Sequence, residues 1–256
     1  MKKLFLSTID DALKQSRATI KRYYRQRIIV ESKADASPVT EADRIVESQI
    51  RQIISQRHPE HSIIGEEHGT QHNLADYTWV IDPIDGTKSF ISGMPTFGTL
   101  IGITHHQQPK IGVIDMPILD ERWIGTIGES TSFNGTSCNV SSVQQLAQAT
   151  LYCTEPDMFT AAQLDKFEQL SRLVYLRRFG GDCYSYGLLA SGQIDLVVDG
   201  DLHYYDIMAL IPVVKGAGGT ITDWQGKELE DGWNGLVVAA ATPALHQAAL
   251  EVLNKH

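Results

Sequence analysis

The sequence contains little cysteine and no long apolar run. Its 256 residues include only three cysteines, Cys138, Cys153 and Cys183, which are widely spaced and form no Cys-x-x-Cys pair. This pattern argues against a disulfide framework and predicts a reduced, cytoplasmic compartment. The apolar stretches fall well short of the roughly 18 residues that a membrane span requires. We therefore expect a protein that does not cross a membrane.

An excess of basic charge is also missing. Lysine and arginine together number 22 and aspartate and glutamate 31, which gives a formal net charge of −9. Proteins that bind nucleic acid need a basic surface for their phosphate contacts, so nucleic acid is not an expected partner. A surplus of carboxylates is better matched to metal cations or to a cationic substrate.

Helical and strand periodicities alternate along the chain. Apolar residues at helical spacing predict helices over approximately 1–28, 40–59, 160–173, 184–190, 207–215 and 243–253. Alternating or short apolar runs predict strands over 79–81, 97–104, 110–116, 122–127, 150–154, 194–198 and 236–240, and a strand pair around Gly226. This alternation favours helices layered on sheets. The weakly patterned segment 144–150 predicts that a single domain, 1–256, is divided into lobes of 1–145 and 146–256.

Two aspartates lie three residues apart, directly after the strand predicted at 79–81. Asp82 and Asp85 flank Pro83, which fixes the turn between them. Carboxylates held this close repel each other unless a cation lies between them. Mg²⁺ prefers such oxygen ligands, and a backbone carbonyl such as that of Ile84 often joins them. For this pair taken alone, an aspartate-rich turn with one helix-capping residue is the alternative.

Further residues indicate that the two aspartates belong to a binding site and not only to a turn. Glu66 upstream and Asp206 downstream supply two more carboxylates that one pocket could gather. Gly86 and Thr87 follow Asp85 directly, and backbone N–H groups at a helix start are suited to a phosphate. The Thr87 hydroxyl could bind a phosphate oxygen or orient a water, although a plain threonine helix cap is compatible with the same residue. The combination predicts metal-assisted hydrolysis of a phosphate ester.

Asp43 and the histidines carry weaker signals. Thr40 and Asp43 have the spacing of a helix capping box, which accounts for Asp43 structurally and leaves a catalytic role open. Several histidines lie in polar segments without the spacing of zinc ligands, which argues against a zinc site. These are His58, His61, His68 and His72. We predict a solvated turn at His105 and His106.

Together, the Gly-Glu-Glu of 65–67, the segment 79–87, and Asp206 with the Gly-Ala-Gly-Gly of 216–219 resemble the inositol monophosphatase family. This family consists of Mg²⁺-dependent, lithium-sensitive phosphatases, and the resemblance covers nearly the whole chain. It implies an α/β (α+β) layered sandwich with the order α-β-α-β-α. It also implies a small phosphorylated substrate and a homodimer.

The resemblance assigns metal ligands position by position. The first Mg²⁺ would be held by Glu66, Asp82 and the carbonyl of Ile84. The second would be held by Asp82, Asp85 and Asp206. A third, weaker ion would lean on Glu66. The site would therefore take two or three Mg²⁺ ions.

The resemblance also assigns the residues around the phosphate. The phosphate would rest on Asp85, Gly86 and Thr87. Glu66 and Thr87 would position the attacking water, and Asp43 would be hydrogen-bonded to Thr87. On this basis the expected catalytic residues are Glu66, Thr87 and Asp43.

Within the family, several segments resemble the histidinol-phosphatase branch. They are 33–44, 86–93 and 97–100. The Gly-Gly-Asp-Cys-Tyr of 180–184 departs from the inositol enzymes, as does Tyr205 before Asp206. The implied reaction is hydrolysis of L-histidinol phosphate to L-histidinol and phosphate. The alternatives are an inositol-1-monophosphatase and a 3′-phosphoadenosine-nucleotide phosphatase.

The substrate pocket implied by the resemblance includes Gly181, Asp182, Asp199 and Asp206. A carboxylate at Asp182 suits the cationic amine of histidinol phosphate and would do little for a neutral polyol. An aspartate that only caps the following helix is the alternative for Asp182. A non-catalytic binding module is the contrasting class, and the intact ligand positions and the acidic chain argue against it.

Overall fold

Eight α-helices form within the residues that the computed structural model describes, which are 2–27, 29–32, 38–73 and 75–255. The helices are α1 (Lys2–Tyr23), α2 (Glu41–Arg57), α3 (Thr87–Ser92), α4 (Ala161–Ser171), α5 (Asp182–Ala190), α6 (Tyr204–Ile207), α7 (Leu210–Gly216) and α8 (Pro243–Leu253). None of them is both long and apolar enough to cross a bilayer.

The strands of the described chain fall into two large sheets and a small pair. They are β1 (Val30–Ser32), β2 (Pro38–Thr40), β3 (Ser62–Gly65), β4 (Gly69–Gln71), β5 (Tyr77–Asp85), β6 (Gly98–His105), β7 (Gln108–Met116), β8 (Glu121–Thr126), β9 (Ser132–Phe133), β10 (Thr136–Ser137), β11 (Thr150–Cys153), β12 (Leu176–Phe179), β13 (Leu196–Asp199), β14 (Thr220–Thr222) and β15 (Val237–Ala240). The eight-stranded sheet has the order β10-β9-β8-β7-β6-β5-β3-β4, and the five-stranded sheet has the order β12-β11-β13-β15-β14. β1 and β2 form the pair.

Strand β5 shows how alternation builds the layers. Trp79 and Ile81 pack in one apolar cluster with buried residues of α1 and α2, such as Leu13 and Ile50. Val80 points to the other face and belongs to a second cluster. Because successive side chains of a strand point to opposite faces, one strand serves both layers. Helices α1 and α2 therefore cover one face of the larger sheet.

The second and third clusters complete the sandwich. Leu189 of α5 and Val213 of α7 pack between the two sheets, against Val80 and Val197. On the far face of the smaller sheet, α4 and α8 pack in a cluster that includes Val198. The order of layers is α-β-α-β-α, and the fold implied by the resemblance is confirmed. The division into lobes at 145 stays a prediction.

Two glycines let the segment before and within α7 approach the larger sheet closely. A Cβ atom at Gly112 would lie 1.9 Å from the Ala209 carbonyl oxygen, and one at Gly125 would lie 2.3 Å from the Pro212 carbonyl oxygen. Any larger side chain would push these backbones apart. The contact therefore sets how closely α7 packs on β7 and β8, and α6 ends at Ile207, two residues before Ala209.

Some predicted elements differ from the structure. The first helix ends at Tyr23, and Arg25 then adopts a left-handed φ of 58°. The helix predicted at 207–215 corresponds to α7, which begins at Leu210, whereas Ile207 ends the separate helix α6. Pro212 is tolerated because it lies in the first turn of α7. The strand pair around Gly226 is wrong. β14 pairs with β15 instead, and Gly226 belongs to a turn in which its N–H donates to the Asp223 carbonyl.

Candidate active site

The Asp82–Asp85 segment ends strand β5 in an irregular stretch. The pairing of β5 with β6 shifts register between Asp82 and Asp85, because Pro83 has no N–H to donate. The Asp82 carboxylate accepts a hydrogen bond from the Ile84 N–H at 3.0 Å. The Thr99 hydroxyl donates to the Pro83 carbonyl at 2.8 Å. These bonds fix the segment from Asp82 to Ile84, and the Cys183 N–H holds the Asp85 carboxylate at 2.6 Å.

Three carboxylates from two distant segments meet at this point. Oxygens of Asp82, Asp85 and Asp206 all lie within 4.8 Å of one another. Asp206 reaches the group from α6, where its carboxylate also accepts the His203 N–H at 2.7 Å. Glu66 follows β3, and its N–H donates to the Ile81 carbonyl at 3.2 Å. The parallel pairing of β3 and β5 thus brings Glu66 beside the cluster.

A cavity of about 300 Å³ opens over these groups. Its lining is Glu66, Asp82, Ile84, Asp85, Gly86, Thr87, Asp201, His203, Tyr205 and Asp206. Every residue that was predicted from the sequence to be a metal ligand lies in this lining. Asp201 and His203 were not anticipated, although their position just before Asp206 was a usable signal.

The carboxylates of the cavity resist ionising together. Burial raises the pKa of Asp82 well above its ordinary value, and the charges of Glu66, Asp85 and Asp206 raise it further. Burial likewise raises the pKa of Asp85 to about 6, although the Cys183 N–H, 2.6 Å from its carboxylate, opposes the shift. Burial and the charge of Asp85 raise the pKa of Asp206. A divalent cation would relieve this repulsion, and carboxylate and carbonyl oxygens suit Mg²⁺.

The Asp43 carboxylate contacts both the start of α2 and Thr87, the first residue of α3. The capping box of α2 is present, with the Asp43 carboxylate accepting the Thr40 N–H at 2.9 Å. Its other oxygen faces the Thr87 hydroxyl at 3.4 Å, and that hydroxyl also lies 3.1 Å from the Ile84 carbonyl. Asp43 is fully buried, which raises its pKa. The structural and catalytic interpretations of Asp43 are therefore compatible.

Gly86 joins β5 to α3 in a conformation that favours glycine. Its φ is 85°, and it occupies the N-cap position of α3. A Cβ atom at this position would lie 2.8 Å from the Asp182 carboxyl carbon. Both the backbone angle and the space therefore require glycine here.

A second cavity, of about 270 Å³, adjoins the first. Its lining is Pro38, Glu66, Gly86, Thr87, Lys88, Ser89, Thr154, Glu155, Gly180, Asp182 and Asp206. Asp182 accepts a hydrogen bond from the Ser89 hydroxyl at 2.6 Å. Burial and the charge of Asp85 raise the pKa of Asp182 to about 7. Lys88 and Glu155 form an ion pair in this wall, which sequence reasoning missed.

Gly181 and Asp199 support the wall rather than line it. Gly181 precedes α5, and a Cβ atom there would lie 2.0 Å from the Ser185 hydroxyl oxygen. The buried Asp199 carboxylate accepts the Thr154 N–H at 2.7 Å and the Tyr186 hydroxyl at 3.0 Å. Direct substrate contacts of Gly181 and Asp199 stay predictions. Of the segment 33–44, residues 33–37 lie outside the described residues.

Comparisons with known proteins agree with this geometry. The model of the inositol monophosphatase family matches residues 4–256. A protein from Arabidopsis thaliana named bifunctional phosphatase IMPL2, chloroplastic, is 46% identical over 248 residues, which cover 93% of this chain and 71% of that protein. A histidinol-phosphatase from Chlorobaculum parvum is 36% identical over 229 residues, covering 89% of this chain and 88% of the relative.

A solved structure of an inositol monophosphatase from Zymomonas mobilis superposes with a TM-score of 0.89 at 38% identity, covering 97% of both chains. The relatives are phosphatases that hydrolyse phosphoric monoesters. Since the family match spans almost every residue, the chain belongs to the inositol monophosphatase family and is a phosphatase.

Proposed function

We propose that the chain is a Mg²⁺-dependent histidinol-phosphatase, which converts L-histidinol phosphate and water to L-histidinol and phosphate. The observation that carries the proposal is the acidic wall of the second cavity. Asp182 and Glu155 line it, directly beside the carboxylate cluster; because Glu155 is already paired with Lys88, Asp182 is the carboxylate that a cationic group would meet. An ester with a cationic amine fits such a wall, whereas a neutral polyol gains little from it. The name of the Chlorobaculum parvum relative supports the same substrate.

The residues of the first cavity fit the cofactor. Glu66, Asp82, the Ile84 carbonyl, Asp85 and Asp206 would hold two or three Mg²⁺ ions, and all of them line one cavity. When bound, such ions neutralise phosphate charge and lower the pKa of a coordinated water. The same charges would allow the buried aspartates to ionise together, since an opposite charge favours the charged form.

The chain's own groups position the water. The Thr87 hydroxyl has two acceptors within reach, the Ile84 carbonyl at 3.1 Å and Asp43 Oδ1 at 3.4 Å, and donation to either leaves a lone pair to accept a hydrogen bond from the attacking water. Glu66, in the same cavity, would hold the second hydrogen of that water. Asp43 is itself fixed by Thr40, so its carboxylate keeps a constant position beside the Thr87 hydroxyl. Holding a reactant in this way lowers the entropic part of the barrier.

The phosphate and the substrate's cationic end have separate supports. Gly86 and Thr87 would cradle the phosphate with their backbone N–H groups. The ammonium group would meet Asp182, which Ser89 already orients at 2.6 Å. A nearby cation favours the ionised form of Asp182 and opposes the rise in its pKa.

A panel of phosphate esters tests the proposal. Phosphate release from L-histidinol phosphate, myo-inositol 1-phosphate, 3′-phosphoadenosine 5′-phosphate and 4-nitrophenyl phosphate is measured with Mg²⁺ and with EDTA. We expect the highest kcat/KM for L-histidinol phosphate and no release in EDTA. A higher kcat/KM for the inositol ester would replace the proposed substrate. No release from any ester would favour a non-catalytic module.

Asp182→Asn separates the amine contact from general damage. Asparagine keeps the acceptor for the Ser89 hydroxyl and removes the charge. We expect kcat/KM to fall about 10-fold more for L-histidinol phosphate than for 4-nitrophenyl phosphate, because a charged hydrogen bond contributes about 1.5–3 kcal/mol. An equal fall for both esters would remove the argument from Asp182.

A further inference from the structure

Two imidazoles and a carboxylate gather on the surface at the opposite end of strand β5. His105 ends β6, His106 begins the turn to β7, and Asp76 directly precedes β5. One ligand atom from each of Asp76, His105 and His106 can be chosen so that all three lie within 4.8 Å of one another. Asp76 and His106 are exposed, and His105 is partly buried. We propose that this cluster is a binding site for a transition-metal cation, specifically Zn²⁺.

The sheet holds the three residues in place. Tyr77 and His105 are register partners in the β5–β6 pair. One residue further on, the His106 N–H donates to the Asp76 carbonyl at 2.9 Å. Strand pairing therefore fixes His105, and the hydrogen bond between His106 and Asp76 fixes the two residues that flank the paired strands.

Ring stacking also orients the imidazoles. The His105 ring stacks on Tyr77, with 4.4 Å between centroids and 28° between planes. The His106 ring lies 4.2 Å from the His105 ring. Tyr77 is in turn supported by Phe5 at 5.1 Å and His61 at 5.3 Å. Stacked rings lose less rotamer entropy when they bind an ion, which is a form of preorganisation.

The spacing and donor types favour Zn²⁺ over Mg²⁺. His106 Nδ1 and Asp76 Oδ1 are 3.5 Å apart. Two ligands at about 2.0–2.1 Å from a tetrahedral Zn²⁺ are separated by roughly 3.4 Å. Imidazole nitrogens suit Zn²⁺, whereas Mg²⁺ prefers oxygen ligands. The three side chains leave the fourth position for water, and the site differs in preference from the aspartate cavity.

The two sites are far apart along β5. Six residues of extended chain separate Asp76 from Asp82, which corresponds to roughly 20 Å at about 3.3 Å per residue. A cation in one site therefore does not share ligands with a cation in the other. Binding to each can be measured separately with variants.

Calorimetric titration of Zn²⁺ into the whole protein, in excess Mg²⁺, tests the proposal. The titration is run on the wild type and on an Asp85→Asn background, so that the aspartate cavity does not contribute. We expect one Zn²⁺ to bind in both. His106→Asn and Asp76→Asn should each weaken this binding at least 10-fold. Asparagine is suited to position 106, because φ there is 50° and asparagine tolerates the left-handed region.

His72→Asn is the matched control, since His72 is also an exposed histidine outside the cluster. It should bind Zn²⁺ like the wild type. Circular dichroism and Tm establish that each variant is folded, and Zn²⁺ should raise the Tm of the wild type but not of His106→Asn. Unchanged Zn²⁺ affinity in both cluster variants would overturn the proposal. So would loss of the signal in Asp85→Asn alone.

Discussion

Replacing Asp85 with asparagine should change the stability of the folded protein differently in the presence and in the absence of Mg²⁺. Burial is the main cause that raises the pKa of Asp85 from 3.8 to about 6. A carboxyl with a raised pKa favours the native state at low pH, and this contribution is lost as pH rises through 6. Near neutral pH the ionised Asp85 therefore disfavours the folded, metal-free protein, by at most about 3 kcal/mol.

In EDTA near neutral pH, we expect Asp85→Asn to be more stable than the wild type by about 1–3 kcal/mol. Asparagine is neutral, and its oxygen still accepts the Cys183 N–H. For a chain of this length, each kcal/mol changes Tm by roughly 2–4 °C, so Tm should rise by roughly 5 °C. Mg²⁺ at 100 times its Kd should stabilise the wild type by about 2.7 kcal/mol. It should stabilise the variant much less, so the advantage that the variant has in EDTA should largely disappear in excess Mg²⁺.

Differential scanning calorimetry in EDTA and in excess Mg²⁺ measures these Tm values. Asp195→Asn is the control, because Asp195 is also buried but accepts hydrogen bonds from Ser141 and the Thr150 N–H, outside the cavity lining. Its Mg²⁺-dependent rise should match that of the wild type. The reasoning is refuted if Asp85→Asn keeps the full Mg²⁺ increment, or if it is the less stable protein in EDTA.

Three further changes probe the site and the core. Asp43→Ala should lower kcat about 10–100-fold through the loss of the Thr87 contact. It should also lower stability by about 1 kcal/mol in denaturant titration, because Asp43 supplies one of the two hydrogen bonds of the capping box. Gly86→Ala should abolish phosphate release in a kinetic assay, because the left-handed φ and the Asp182 contact leave no room for Cβ. Burial lowers the pKa of His58 to about 4, so stability should fall as pH decreases from 6.5 to 4; His58→Gln should flatten this dependence of Tm.

The centre of the site could be predicted because its signals are local. Pro83 fixes the turn between Asp82 and Asp85, and Gly86 follows where a left-handed residue is needed. The short apolar run at 79–81 similarly predicted a buried strand. The strand predicted at 79–81 was too short, because β5 runs from Tyr77 to Asp85 and contains both aspartates.

Other features depend on contacts between distant segments, which periodicity does not encode. The Lys88–Glu155 ion pair joins helix α3 to the segment that follows β11, 67 residues further along the chain. Asp76 meets His106 only because β5 pairs with β6 in one particular register. Strand β12 was missed because Leu176–Phe179 forms an exposed edge without a buried alternation. The error at Gly226 arose because a glycine turn was taken for a hairpin, whereas β14 finds its partner β15 further along the chain.

The absence of side chains at Gly112 and Gly125 fixes the position of the chain segment that follows Asp206. There the sheet touches Ala209 and Pro212 through main-chain atoms, which have no rotamers to adjust. Asp206 lies three residues before Ala209, so the same contact restricts the position of its backbone. Alanine at either position would therefore displace Asp206 from the other aspartates. Cation binding would weaken although every carboxylate is retained and neither strand contributes a ligand.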